Sequence, residues 1–100
     1  MSHGVIELVL FKGREGVEPS QLTTAAAVVT PILRAMPGFV SREFSAAADG
    51  RYADIVRWIS KDNAEAAAQA VVQIAECRAF FSLIDQSSMT FLHLSVVEKT

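Results

Sequence analysis

Residues 39–60 read FVSREFSAAADGRYADIVRWIS. Two segments rich in Val, Ile, Phe, Tyr and Trp flank Asp49–Gly50, a dipeptide whose glycine takes the positive φ that a tight hairpin needs. The stretch predicts a strand over Phe39–Ala46, a turn, and a second strand over Arg51–Ser60. Upstream, Pro37–Gly38 stops a helix that opens at Glu18–Pro19–Ser20, with proline tolerated in the first turn. Leu22, Ala25, Ala26, Val29, Leu33 and Met36 share one face of it at helical spacing. Pro31 falls inside this pattern and predicts a kink rather than an end. Further upstream, Gly13–Val17 reads as a turn and Val5–Lys12 as a strand, apolar apart from Glu7, so that both its faces are covered.

Downstream of the hairpin a helix follows at once. Asp62 and Glu65 have the three-residue separation of a capping box. Ala64, Ala67, Ala68, Val71, Val72 and Ala75 form its apolar stripe. Cys77–Ile84, with Phe80 and Phe81, predicts one or two helical turns, and Met89–Glu98 a last strand. The order βαββαβ is the ferredoxin-like, split-βαβ arrangement. It implies an α+β fold occupying residues 1–100 as one domain. A four-stranded antiparallel sheet carries two helices on one face and leaves the other bare.

Composition bounds the function. The chain has 100 residues, 51% hydrophobic and 20% charged, too apolar for disorder. Nine Lys and Arg against eleven Asp and Glu give no electrostatic support for a nucleic-acid partner. No signal peptide, no run of eighteen apolar residues and no basic amphipathic stripe is visible, so secretion and a membrane partner are not expected. A single cysteine cannot close an intrachain disulfide and points to a reducing, cytoplasmic location. The apolar surplus has two readings. One is a second buried surface, most simply a homodimer interface; the other is the abundance of alanine.

Strand alternation sorts the sheet residues into two sets. The even set (Ile6, Leu8, Leu10, Val40, Arg42, Phe44, Tyr52, Val56, Trp58, Leu92, Leu94 and Val96) is nearly all apolar and is expected under the helices. The odd set mixes Val5, Val9, Phe11, Ile55, Ile59, Phe91 and Val97 with Glu7, Glu43, Arg57 and His93. It is expected on the bare face, packed sheet on sheet in a dimer with a few paired charges inside. A bulge would invert the parity of a strand.

Three segments carry a resemblance that covers nearly the whole chain. They are ELVLFKGREGVEPSQL (7–22), MPGFVSREF (36–44) and DIVRWISKDNAEAA (54–67). With them the chain resembles the dimeric α+β barrel superfamily, and within it the antibiotic-biosynthesis-monooxygenase-like domains. The opening segment is also similar to the stress-responsive A/B-barrel domains. The resemblance implies a ferredoxin-like dimeric barrel. The activities it brings into view are cofactor-free oxygenation of aromatic polyketides and quinols, haem degradation and isomerisation, beside many domains with no known activity. Haem-degrading relatives use an Asn on the first strand and a Trp and a His in the second-helix region. Here the first strand has Glu7 and no Asn, and residues 62–84 contain neither Trp nor His. No haem, other cofactor or metal is therefore expected. Trp58 and Arg57 are residue types found in the pockets of the cofactor-free oxygenases.

Each candidate site residue carries two readings. His93 is either a general base that deprotonates a phenol or hydroquinone, or a histidine bonded to Glu7 or Glu43 at the dimer seam. Arg57 either anchors a substrate oxygen or pairs with Glu7 as a buried ion pair. Trp58 and Tyr52, with Phe44, Phe80, Phe81 and Met36, either line an aromatic-binding cleft or simply build the core. Cys77 reads as a small buried hydrophobe, and Ser2 and His3 as a frayed terminus. The expected catalytic residues are His93 and Arg57, with Trp58, Tyr52 and Glu7 binding a small aromatic ligand. The contrasting expectation is a non-catalytic dimeric barrel that binds an apolar ligand or serves assembly. No Ser–His–Asp order, zinc-ligand spacing or phosphate-binding glycine loop is present.

Overall fold

The computed structural model describes residues 3–100; Ser2 lies outside the described residues. The elements are β1 (Val5–Gly13), α1 (Pro19–Arg34), β2 (Phe39–Ala46), β3 (Tyr52–Trp58), α2 (Lys61–Val71), α3 (Ala75–Phe81) and β4 (Ile84–Ser95). The four strands form one antiparallel sheet in the order β2-β3-β1-β4. This is the ferredoxin-like α+β architecture, with the short aromatic segment folded as a third helix.

Local chemistry sets the element ends. Glu18 caps α1 through a capping box in which Gln21 Oε1 accepts from the Glu18 backbone N–H at 2.8 Å, and Pro19 occupies the first turn. Leu22, Ala26, Val29 and Leu33 are its buried stripe, and the helix runs through the exposed Pro31 to Arg34. Ser60, not Asp62, caps α2: its Oγ accepts from the Asn63 N–H at 3.1 Å. Asp62 falls in the first turn, where its charge faces the helix N-terminus, and Glu65 instead meets Lys61 at 3.7 Å on the surface. Gly38, at φ +81°, lies so close to Asn63 that any side chain there would overlap it. The predicted α2 stripe is shorter than expected. Ala64 and Ala67 are buried, but the helix ends at Val71, and Val72 and Ala75 are exposed.

Strand β4 begins five residues before its apolar run. Ile84 and Asp85 pair with Gly13 and Lys12, and the register then shifts. At the shift Ser88 Oγ takes the Lys12 N–H at 2.8 Å, replacing a backbone partner. The polar stretch Asp85–Ser88 hides this pairing from any hydrophobic pattern.

The pairing corrects the expected division of the two faces. Directly paired residues of neighbouring strands share a face. Val5, Glu7, Val9 and Phe11 pair with Trp58, Val56, Asp54 and Tyr52, so odd positions of β1 lie with even positions of β3. Glu7 pairs with His93 and Val9 with Phe91. Glu7, Val9, Phe91 and His93 therefore lie on the helix-covered face, while Ile6, Leu8, Leu10, Leu92 and Leu94 form the bare one. The expected parity holds for Arg42, Phe44, Tyr52, Val56 and Trp58. Val40 sits at the register shift between Phe39 and Ser41 and is 55% exposed, not under the helices.

The helix-covered face holds the core. Phe11, Phe44, Tyr52 and Phe80 form one aromatic cluster, with Phe11 stacked on Tyr52 at 5.6 Å and Phe80 edge-on to Phe44 at 5.9 Å. Trp58 is buried against the edge of Phe39 at 5.8 Å. Among the described residues no helix is long and apolar enough to cross a membrane.

Candidate ligand cleft

A cavity of about 270 Å³ lies between the sheet and the helices. Val29 and Leu33 of α1, Val71 of α2 and Phe80 of α3 give it an apolar wall. Its mouth is apolar too: Val72, Met89 and Phe91 line it and are 51%, 39% and 45% exposed. Against this apolar lining stand three charged side chains from three strands: Glu7, Arg42 and Asp54.

Glu7 comes from the middle of β1 and His93 from the paired position of β4. His93 Nε2 stands 3.0 Å from Glu7 Oε1, and the two side chains are 15% and 14% exposed. Burial pushes the Glu7 carboxyl above its ordinary value, and the hydrogen bond and charge of His93 pull partly back. Glu7 itself lines the cavity and His93 backs it from outside the lining, so a carboxyl held by an imidazole stands at the cavity wall, a group able to accept a proton. Phe91, two residues before His93 on the same face of β4, packs edge-on against its ring at 5.1 Å.

Arg42 and Asp54 form a buried, bidentate ion pair, Nε to Oδ1 at 2.9 Å and Nη2 to Oδ2 at 2.7 Å. The third guanidinium nitrogen, Nη1, donates to the Ala26 carbonyl at 2.6 Å and to Thr30 Oγ1 at 3.0 Å. The pair therefore ties α1 to the sheet. The guanidinium carbon also lies 5.7 Å from the ring centres of both Phe44 and Phe80.

The expected site residues divide. His93 and Glu7 come together, under the helices rather than at a sheet-to-sheet seam. Arg57 does not join them: it pairs in register with Ile6, lies on the bare face and is exposed. The expected Glu7–Arg57 pair is thus not formed, because the register puts the two side chains on opposite faces. Glu43 is on the bare face as well, away from His93. Trp58 packs in the core beyond the cleft, and its indole Nε1 has no hydrogen-bond partner among the described residues. Tyr52 is half-buried and stacks on Phe11 and Phe44, also outside the cleft lining. Burial pushes the Cys77 thiol up, which suits a packing role. Among the described residues no three His, Cys, Asp or Glu side chains are grouped to hold a metal ion.

The sequence reading missed Asp54 and left Arg42 as an unexplained charge under the helices. Both are even-numbered residues on the two strands of the Asp49–Gly50 hairpin, and Asp54 pairs with Phe44, two residues along β2 from Arg42. Hairpin register and opposite charge were the signal that joins them.

No protein-family model and no curated protein matches the chain. Solved structures do. A Bordetella bronchiseptica protein, provisionally described as an antibiotic biosynthesis monooxygenase, superposes with a TM-score of 0.81 at 15% identity, over 98% of this chain and 100% of that one. SnoaB of Streptomyces nogalater, described as a cofactor-independent oxygenase, gives a TM-score of 0.68 at 18% identity, over 97% of this chain and 94% of that one. A dimeric ferredoxin-like protein of unknown function from Thermobifida fusca gives 0.73 at 15% identity, over 93% and 91%. At these identities the likeness is one of fold. The chain has the ferredoxin-like fold of the antibiotic-biosynthesis-monooxygenase-like domains, with a cleft between sheet and helices whose apolar lining carries three charged side chains.

Proposed function

We propose that the chain is a small-molecule oxygenase domain that acts on a hydroxylated aromatic or quinol without a bound cofactor, with Glu7 and His93 as its proton acceptor. The observation that carries this reading is Glu7, which lines a largely apolar cavity and is bonded to His93 behind it, while the other two charged lining residues, Arg42 and Asp54, are closed on each other. The cavity is slightly below the range of about 300–1,000 Å³ that drug-sized ligands occupy, which fits one or two fused rings. Removal of a proton from a ring hydroxyl to the pair leaves an electron-rich anion that reacts with dioxygen. For a hydroquinone the balance is quinol plus O2 to hydroxyquinone plus water: the substrate supplies all four electrons, one oxygen atom enters the ring and the other leaves as water. The fold shared with a cofactor-independent oxygenase supports the reading.

The test is oxygen uptake with dihydroxynaphthalenes and benzoquinols in metal-free buffer. Wild type should turn over, and Glu7→Gln and His93→Ala should lose about 100-fold or more while remaining folded. Uptake at the spontaneous rate, or unchanged rates in both variants, would sink the proposal. The competing reading is a non-catalytic barrel that holds an apolar ligand. What favours it is that Glu7 and His93 already satisfy each other. Arg57, expected as an anchor, has no part in the cleft chemistry proposed here. Trp58 and Tyr52 act on it only through the core they build.

The same proposal includes a homodimer. Ile6, Leu8, Leu10 and Ile55 are half-buried, and Leu92 and Leu94 are 43% and 39% exposed, on one continuous bare face. A second copy laid on this face would cover them. A cytoplasmic setting fits a lone cysteine that is buried and free.

A further inference from the structure

We infer that the cleft admits neutral hydroxylated aromatics and excludes those carrying a carboxylate, because Arg42, the cation among the described residues of its wall, is already neutralised by the protein. The inference rests on the reading of the cleft as an aromatic site and names the charge class of its ligand. Three charged residues line the cavity, two acids and one base. A ligand carboxylate entering it loses its water and needs a cation or several donors in exchange. Arg42 cannot serve. Two of its nitrogens are held by Asp54, the third by Ala26 and Thr30, and the Phe44 and Phe80 rings pack on the guanidinium. Glu7 adds an acid on the same wall, bonded to His93. A ligand anion therefore meets a closed, neutral Arg42–Asp54 pair and the Glu7 carboxyl, with no free cation among the described lining residues. A neutral hydroxyl meets the opposite situation: Glu7 can accept its proton, and the ring fills apolar space.

The experiment compares three probes, 2-naphthol, 2-naphthamide and 2-naphthoate, by calorimetric titration of the full chain at pH 7 in oxygen-free buffer. The amide and the carboxylate match in shape and differ in charge. Wild type should bind 2-naphthol and 2-naphthamide, with 2-naphthoate weaker by about tenfold or more. Asp54→Asn frees the Arg42 charge and should improve 2-naphthoate relative to 2-naphthamide by about tenfold. Because Asp54→Asn could unfold the chain, Glu7→Gln provides a second route: it removes the other acid and should narrow the same ratio. Equal wild-type affinity for amide and carboxylate, a ratio unmoved in every folded variant, or failure of both neutral probes to bind would each overturn the inference. Discrimination between the probes in a protein that shows no oxygen uptake would leave this inference standing while removing the oxygenase reading.

Discussion

Asp54 grips Arg42 through two parallel hydrogen bonds of 2.9 and 2.7 Å, at a point where the two side chains are 11% and 3% exposed. Removing one partner leaves the other charge buried without compensation. Arg42→Met should therefore destabilise the fold by about 3–5 kcal/mol. Arg42→Met combined with Asp54→Leu should recover most of that loss, since no lone charge remains. Urea unfolding of wild type, single and double variants measures it, and a double variant no more stable than Arg42→Met would contradict the account.

The raised Glu7 carboxyl makes stability depend on pH in a specific direction. A carboxyl whose folded value lies above its ordinary 4.5 binds more protons folded than unfolded between the two values. Its contribution thus favours the fold at low pH and declines as pH rises through the folded value. Asp49 and Asp85, whose carboxyls are lowered by bonds from Arg51 and Ser87, act in the opposite sense at more acid pH. Subtracting the pH profile of Glu7→Gln from that of wild type removes these shared contributions. The difference should fall as pH rises from about 4.5 and then level off. A difference that rises over that window would mean His93 outweighs burial.

Leu8 occupies the middle of the bare face, paired with Ile55 on one side and Leu92 on the other. Wild type should sediment as a dimer at micromolar concentration. Leu8→Asp places a charge in the proposed interface and should give a monomer with unchanged far-ultraviolet circular dichroism. A wild-type monomer would leave the apolar face without its proposed cover.

The α2 cap tests a local assignment. Ser60→Ala removes the oxygen that accepts from Asn63 N–H and should cost about 1 kcal/mol. Asp62→Ala should cost less, because Asp62 contributes only a first-turn charge. Thermal unfolding of the two variants ranks them; a larger loss from Asp62→Ala would restore the cap expected from spacing.

The elements themselves were legible because each depends on neighbours in sequence. Phe39–Ala46 needs only its own β-forming residues and Asp49–Gly50 to become a strand with a hairpin end. The Leu22, Ala26, Val29 and Leu33 stripe needs only helical spacing. Less of the site could be read. His93 and Glu7 were visible as candidates, and their mutual bond was one of two readings. Arg57 was placed with them through an assumption that equal parity means equal face.

That assumption fails for a physical reason. Parity within a strand follows from the pleat and is fixed by sequence. Parity between strands joined by a helix is fixed by register, which depends on how the helices and sheet settle against each other. Local pattern is enough to say which residues alternate, where the hairpin turns and that a ferredoxin-like sheet results. Folding of distant segments against one another sets Glu7 toward the helices with His93 and Asp54, turns Arg57 away, and closes Arg42 off with Asp54. Those outcomes rest on contacts between segments distant in the chain, such as Glu7 against His93.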